Sequence, residues 1–140
     1  MNQATTNSAS LPEYALDQAP EFVLITDADL ARPGGPRIVY VNQAMAKATG
    51  YTRDDLIGQS PKIFQGEDTD PVVASRIIQR LIKGERVEET ILNYTKDGTP
   101  FWAELLITPV RDDSGETIAY LSIQKDLTKK LQTDLASQLQ

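Results

Sequence analysis

Two pairs of adjacent carboxylates are the candidate catalytic groups in this sequence. Glu67-Asp68 and Asp112-Asp113 could move protons or hold a cation, but both pairs fall in predicted loops, where solvated charge is the ordinary role. The chain has no cysteine and no histidine, and no glycine-rich phosphate loop. It therefore lacks disulfides, thiolate metal sites, cysteine nucleophiles, the usual haem ligands and the commonest general base. We expect no enzyme, no metal site and no haem.

The bulk composition predicts one ordinary globular domain. The chain has 140 residues, of which 40% are hydrophobic and 24% charged. A net charge of −6, with no cluster of lysine or arginine, argues against nucleic acid as a partner. No apolar stretch is long enough to span a membrane, and the polar N-terminus lacks the apolar core of a signal peptide. We therefore expect a cytoplasmic protein without a membrane partner.

Short helices and two strands are predicted in the first part of the chain. Their predicted ranges are helix 11–19, strands 22–26 and 37–41, helix 42–49 and a helix opened by Thr52. The segment Arg32-Pro33-Gly34-Gly35-Pro36 cannot continue a strand, so the two strands should form a hairpin. Gly50 should end the helix before it, and Thr52 with Asp55 has the capping-box spacing.

One longer helix and three strands are predicted next. Asp70 followed by Pro71 is a strong helix start, and Gly84 ends this helix. The helix should present one apolar face, made of Val73, Ile77, Ile78, Leu81 and Ile82. Strands are predicted over 87–94, 101–110 and 117–125, with turns at Asp97-Gly98 and 112–115. The whole pattern predicts an α+β fold: a five-stranded antiparallel sheet with short helices on one face.

A last helix is predicted from Thr128. It would carry an apolar stripe with one leucine every four residues, formed by Leu127, Leu131, Leu135 and Leu139. This stripe could pack back on the sheet, pair with a second copy, or be a solvated and frayed end. We divide the chain into a flexible N-terminus with a short cap helix (1–19), a central domain (20–128) and the start of a C-terminal linker helix (129–140).

Three segments carry a family resemblance. They are Gly58 to Gly66 (GQSPKIFQG), Asn93 to Trp102 (NYTKDGTPFW) and Ser122 to Thr128 (SIQKDLT). Together they resemble the PAS superfamily of sensor domains and, within it, the light-oxygen-voltage branch that binds flavin. Members of that branch carry Asn-Cys-Arg-Phe-Leu-Gln where this chain has Ser-Pro-Lys-Ile-Phe-Gln. The photoreactive cysteine would fall on Pro61, which has no thiol, so a flavin–cysteinyl bond cannot form.

The resemblance implies a set of flavin-contacting residues. Asn93 matches the asparagine that reads the pyrimidine edge, and Gln124 matches the last-strand glutamine near N5 and O4. Gln65 matches a position near the ribityl chain, and Asn42 lies near the family's pocket. Ile77, on the apolar face of the Pro71 helix, is expected to line it. Alternatively, Asn93 satisfies backbone groups beside its turn and Gln124 faces solvent.

The departures from the family weaken recognition of the ring edge and of the phosphate. A second ring-edge asparagine is Ala103 here, and a phosphate-pairing arginine is Lys62, which keeps the charge without the bidentate fork. A second phosphate arginine falls on Ile78, from which the nearby Arg76 and Arg80 point away at helical spacing. FMN remains more consistent with the resemblance than FAD, and an empty pocket is the alternative.

The function implied is a sensory module rather than an enzyme. It would form a homodimer through its N- and C-terminal helices and relay ligand, redox or light state to a C-terminal effector domain of the kinase or cyclase type. A flavin-free dimerisation or interaction scaffold is the alternative. Pro61 could reflect natural divergence or deliberate removal of the photochemistry. The accompanying Ser60 and Ala103 favour divergence, since one substitution would have sufficed.

Overall fold

The computed structural model describes residues 10–138. The predictions for residues 1–9 and for Leu139 lie outside this range. The elements in chain order are α1 (Leu11–Gln18), β1 (Phe22–Thr26), β2 (Ile38–Val41), α2 (Gln43–Thr49), α3 (Arg53–Leu56), a 3₁₀ turn (Pro61–Phe64), α4 (Pro71–Ile82), β3 (Val87–Tyr94), β4 (Pro100–Arg111), β5 (Thr117–Asp126) and α5 (Thr128–Gln138).

The strands form one antiparallel sheet in the order β2-β1-β5-β4-β3. β5 is therefore the central strand, and its Gln124 lies opposite Phe22 of β1 and Leu105 of β4. Helix α4 packs against β3, and α2 packs against β1. The predicted architecture, a five-stranded antiparallel sheet with short helices and a C-terminal helix, is confirmed.

The capping residues predicted from the sequence form the expected interactions at the helix ends. Thr52 and Asp55 form a complete capping box at the start of α3. The Asp70 side chain accepts a hydrogen bond from Val72 N, and Pro71 occupies the first turn of α4. Gly50 closes α2 with φ of 81°, a left-handed conformation in which a side chain would be strained. These short-range interactions fix where each helix begins or ends.

Two groups of buried apolar side chains hold the helices on the sheet. The larger joins α4 to β3, β4 and β5 through Ile77, Leu81, Val87, Ile91, Phe101, Ala103, Leu105 and Tyr120. The smaller joins β1 and β2 to α2, α3 and the 3₁₀ turn through Leu24, Ile38, Val41, Met45, Leu56 and Phe64. Phe22 packs against both groups. Burial of these side chains is the main term that stabilises the fold.

Ile82 does not belong to the buried face of α4, contrary to the prediction. Its side chain is 65% exposed, whereas Ile77 and Leu81 are buried. Ile82 follows Ile77 by five positions, which corresponds to about 140° around a helix. It therefore lies beyond the arc that the sheet covers.

Polar contacts attach the start of helix α5 to the ends of the interior strands β4 and β5. Leu127 N donates to Trp102 O at 2.8 Å, and Trp102 N donates to Thr128 Oγ1 at 2.7 Å. Thr128 N donates to Asp126 Oδ1 at 2.9 Å. Further along, Leu135 is 58% exposed, so at this position the leucine stripe does not pack back on the sheet. Within residues 10–138, no helix is long and apolar enough to cross a membrane.

An ion-pair network fastens α4 to β3. Arg76 donates from Nη2 to Oε1 of Glu89 at 2.9 Å, and Arg80 Nη1 lies 3.7 Å from Glu89 Oε2. The Glu89 side chain is only 11% exposed. The hydrogen bond from Arg76 holds the pKa of Glu89 below its usual value. The ion pairs therefore stabilise the folded state at pH values where Glu89 is ionised in both the folded and the unfolded protein.

Replacing Glu89 by glutamine should reduce the pH dependence of stability. Because the folded pKa is depressed, the contribution of Glu89 is fully present above its unfolded pKa of about 4.3. It is lost as pH falls through the folded pKa. E89Q should therefore unfold at lower urea than wild type at pH 7, and the two should converge at lower pH. A difference that is the same at pH 7 and pH 3 would contradict the assignment.

Candidate functional site

A cavity of about 510 Å³ lies between the inner face of the sheet and α4. Strands β1, β3, β4 and β5 form its floor, α4 forms one wall, and the loop at 34–36 and the 3₁₀ turn lie at its rim. Its volume is within the roughly 300–1,000 Å³ of typical small-molecule sites. The fold thus contains a preformed site large enough for a cofactor.

The walls of the cavity are mainly apolar. They are formed by Leu24, Phe64, Ala74, Ile77, Ile78, Leu81, Ile91, Leu105 and Ile107. Side chains from the sheet and from α4 face each other across this space. A largely apolar group would bury most of its surface there.

Two buried carboxamides supply the directional polar groups. Asn93 and Gln124 both line the cavity and are each 5% exposed. Gln124 Nε2 donates to Ser122 Oγ at 3.2 Å, while Oε1 has no hydrogen-bond partner among the described residues. A buried polar group without a partner costs about 1–3 kcal/mol, so Oε1 of Gln124 is suited to accept a hydrogen bond from a ligand. The Asn93 amide lies in the wall of the same cavity.

The structure places both amides on the inner face of the sheet, at the cavity. Gln124 does not face solvent, since β5 is central and its side chain is buried against the cavity. Asn93 is 5% exposed and lines the cavity, and the backbone of the turn that follows it is closed by Thr95 N donating to Thr99 O. Both amides are therefore available to the cavity.

The 3₁₀ turn at the rim explains the Ser60-Pro61 sequence. Ser60 Oγ accepts from Lys62 N at 3.2 Å and donates to Gly34 O at 2.6 Å. Pro61 takes the first position of the turn, where a missing N–H costs nothing. The pair therefore starts the turn and ties it to the opposite rim loop. Pro61, Lys62 and Gln65 line the cavity, and Lys62 is the charged residue among the described lining side chains.

Asn42 and Ala103 are not brought to the cavity. The Asn42 Oδ1 atom accepts from Val23 N and Met45 N, each at 3.0 Å. Its Nδ2 donates to Leu16 O and Glu21 O, each at 2.9 Å. All the hydrogen-bonding capacity of this amide is used in joining α1, β1 and α2, so its role is structural. Ala103 is fully buried in the larger core group and does not line the cavity.

Several lining residues were not singled out from the sequence. Ser122 and Tyr120 lie two and four positions before Gln124 on β5, and all three line the cavity. Because alternate residues of a strand share a face, this spacing was the signal that could have found them. Burial raises the pKa of Tyr120, so its hydroxyl stays neutral at ordinary pH. Thr26 of β1 and Ser75 of α4 also reach the cavity.

The sheet order and the cavity beneath α4 define a PAS sensor domain. The family model described as "PAS domain" matches residues 20–129, and the chain belongs to this family.

Within the family, the chain is a PAS domain of the light-oxygen-voltage type that has no cysteine. It superposes with a TM-score of 0.71 and 34% identity on the light-oxygen-voltage domain of a blue-light-activated histidine kinase from Erythrobacter litoralis, covering 79% of this chain and 99% of that one. A second light-oxygen-voltage structure, studied with a flavin analogue, gives a TM-score of 0.76 and 29% identity over 92% and 93% of the two chains.

One curated relative is a longer protein. Blue-light-activated histidine kinase 2 of Erythrobacter litoralis is 36% identical over 115 residues, which is 82% of this chain. The matched part is 33% of the length of that kinase, so the similarity concerns about a third of it.

Proposed function

We propose that this domain binds a flavin in the cavity and acts as a sensor without cysteinyl chemistry. The observation that carries the proposal is the buried Oε1 of Gln124, which has no hydrogen-bond partner among residues 10–138 and belongs to the same cavity wall as the Asn93 amide. A carboxamide can both donate and accept, as the polar edge of a flavin ring requires. Homologues of the light-oxygen-voltage type bind flavin, which supports this choice of ligand.

Each part of the cavity has a place in this proposal. Asn93 and Gln124 would hold the polar ring edge, and the apolar side chains of α4 and the sheet would exclude water from the ring. Pro61 offers an apolar surface and no nucleophile. When bound, the flavin supplies blue-light absorption and one-electron redox chemistry. Gln124 would respond to a change in the hydrogen bonding of the ring and pass it along β5.

The output is proposed to leave through α5. β5 leads directly into this helix, and Asp126 and Thr128 fix the junction by the hydrogen bond at 2.9 Å. The exposed Leu135 leaves an apolar position for a second copy, which supports a homodimer formed through the terminal helices. The domain makes up about a third of a light-activated kinase relative, which supports an effector domain beyond α5. In this proposal the sensor domain itself is not an enzyme.

An absorption spectrum with added flavin tests this function. The purified domain, incubated with excess FMN and then desalted, should show the structured blue absorption band of an ordered flavin. Illumination should give no thiol adduct. A domain that stays colourless with FMN, FAD and riboflavin would contradict the proposal. The flavin-free dimerisation scaffold would then be the better account.

A variant that fills the cavity should localise the flavin. Ala74→Phe adds a ring on the cavity face of α4 and should weaken FMN binding by at least about tenfold. Val72→Phe adds the same ring on the exposed side of this helix and should bind FMN like wild type. The circular dichroism of both variants checks folding. Equal flavin affinity of the two folded variants would place the ligand elsewhere.

A further inference from the structure

We propose that the cavity selects flavin by its ring and accepts riboflavin about as readily as FMN. This inference rests on the proposed function and specifies which flavin the site takes. FMN differs from riboflavin by a terminal phosphate, so the preference between them depends on the charged groups near the rim of the cavity.

The arginines of α4 are committed to another partner. Arg76 and Arg80 both lie within ion-pair distance of Glu89 on β3, and neither lines the cavity. Turning either one toward a phosphate would remove a cation from a carboxylate that is only 11% exposed. Leaving such a charge with fewer partners is unfavourable, so these arginines are poor phosphate ligands.

The N-terminus of α4 is also unavailable to an anion. A helix start can bind phosphate through its free N–H groups. Here Pro71 has no N–H, and Val72 N donates to Asp70 Oδ1 at 2.9 Å. A carboxylate therefore already occupies the positive end of the helix, and its charge would repel a phosphate.

Lys62 is the remaining cation of the described lining. Its side chain is exposed at the rim, where ion pairs contribute little because water and salt screen them. The following loop carries Glu67, Asp68 and Asp70, all exposed, and the whole chain has a net charge of −6. These negative charges oppose the attraction of Lys62. On α4, the lining residue Ile78 has no charge to offer.

Binding titrations of the purified domain with riboflavin and FMN test this inference. We expect the two dissociation constants to agree within about threefold, and K62A should change their ratio by no more than that. I78R, which adds a cation to the cavity wall, should favour FMN over riboflavin by about tenfold or more. V72R, which adds the same charge on the exposed side of α4, is the control and should leave the ratio unchanged.

The outcomes separate the two proposals. If wild type binds FMN more than about threefold more tightly than riboflavin, the ring-only selection is wrong while the flavin site stands. If neither flavin binds, the proposed function fails and the inference fails with it. A ratio near one that rises in I78R and not in V72R supports both.

Discussion

Replacing Asn42 by alanine is expected to lower the free energy of unfolding by about 2–4 kcal/mol, because several buried backbone groups lose their partner at once. The Oδ1 atom accepts from Val23 N of β1 and Met45 N of α2, and the Nδ2 group donates to the carbonyls of Leu16 and Glu21. The side chain is fully buried, so water cannot take over these bonds without opening the structure. Urea unfolding at neutral pH measures the change.

Two further variants make the test specific. K47A, at an exposed position of α2, should change stability by no more than about 0.5 kcal/mol. N42D keeps an acceptor for the two N–H groups but turns a carboxylate oxygen toward the two carbonyls. Protonation gives this carboxyl a donor, so the deficit of N42D relative to wild type should shrink as pH falls. A loss below about 1 kcal/mol in N42A would show that the amide contributes little.

Local signals were enough to predict the α-helices and strands of this fold, but not the 3₁₀ turn at Pro61–Phe64. Asp70 and Pro71 start α4, and Gly50 ends α2 with a positive φ. Each of these helix ends is set by neighbouring residues, so the sequence alone predicts it. Ile82 was misplaced for the opposite reason. Whether a position at the margin of an apolar face is buried depends on how far the sheet extends over the helix, and the sequence of the helix does not contain this information.

The candidate site was predictable in part for similar reasons. Asn93 and Gln124 reach the cavity because strand alternation puts them on the inner face, and their motifs marked them. The structure places Asn42 outside the cavity lining, which the sequence could not show because an amide that caps a helix and one that binds a ligand look the same in sequence. Only the structure shows that Asn42 Nδ2 donates a hydrogen bond to the carbonyl oxygen of Leu16 in α1. Ser122 carried no motif signal beyond its spacing from Gln124.

Replacing Gln124 by leucine is expected to abolish any light-dependent change in α5 while the flavin stays bound. This prediction rests on the proposed function. Leucine fills the same space without a hydrogen bond, so it cannot respond to the ring. Hydrogen–deuterium exchange over residues 126–138 in the dark and under illumination measures the response. K125L adds leucine at the exposed neighbouring position and should respond like wild type. An unchanged response in Q124L would contradict the relay.

Ser122 gives this relay a further property that can be tested. Its hydroxyl accepts from Gln124 Nε2 at 3.2 Å, and a hydroxyl can equally donate to a carbonyl oxygen. The Gln124 amide can therefore turn over and keep its bond to Ser122, while the atom that it presents to the cavity changes from acceptor to donor. Because Ser122 can hydrogen-bond the Gln124 amide in both orientations, it should not favour one orientation over the other.

The variant S122A tests whether Ser122 supports both orientations of the Gln124 amide equally or acts as a latch, that is, holds only one of them. Removing the hydroxyl takes one hydrogen bond from both amide orientations, so their free-energy difference should stay nearly the same. We expect S122A to lose about 0.5–1.5 kcal/mol of stability and to keep the light-dependent change in exchange over 126–138. A latch that holds only one orientation would behave differently: S122A would then respond in the dark or lose the response, as in Q124L. The exchange rates of S122A in the dark and under illumination together distinguish the two roles. If Ser122 supports both orientations equally, both rates match wild type, whereas with a latch either the dark rate rises toward the illuminated value of wild type or the illuminated rate stays at the dark value.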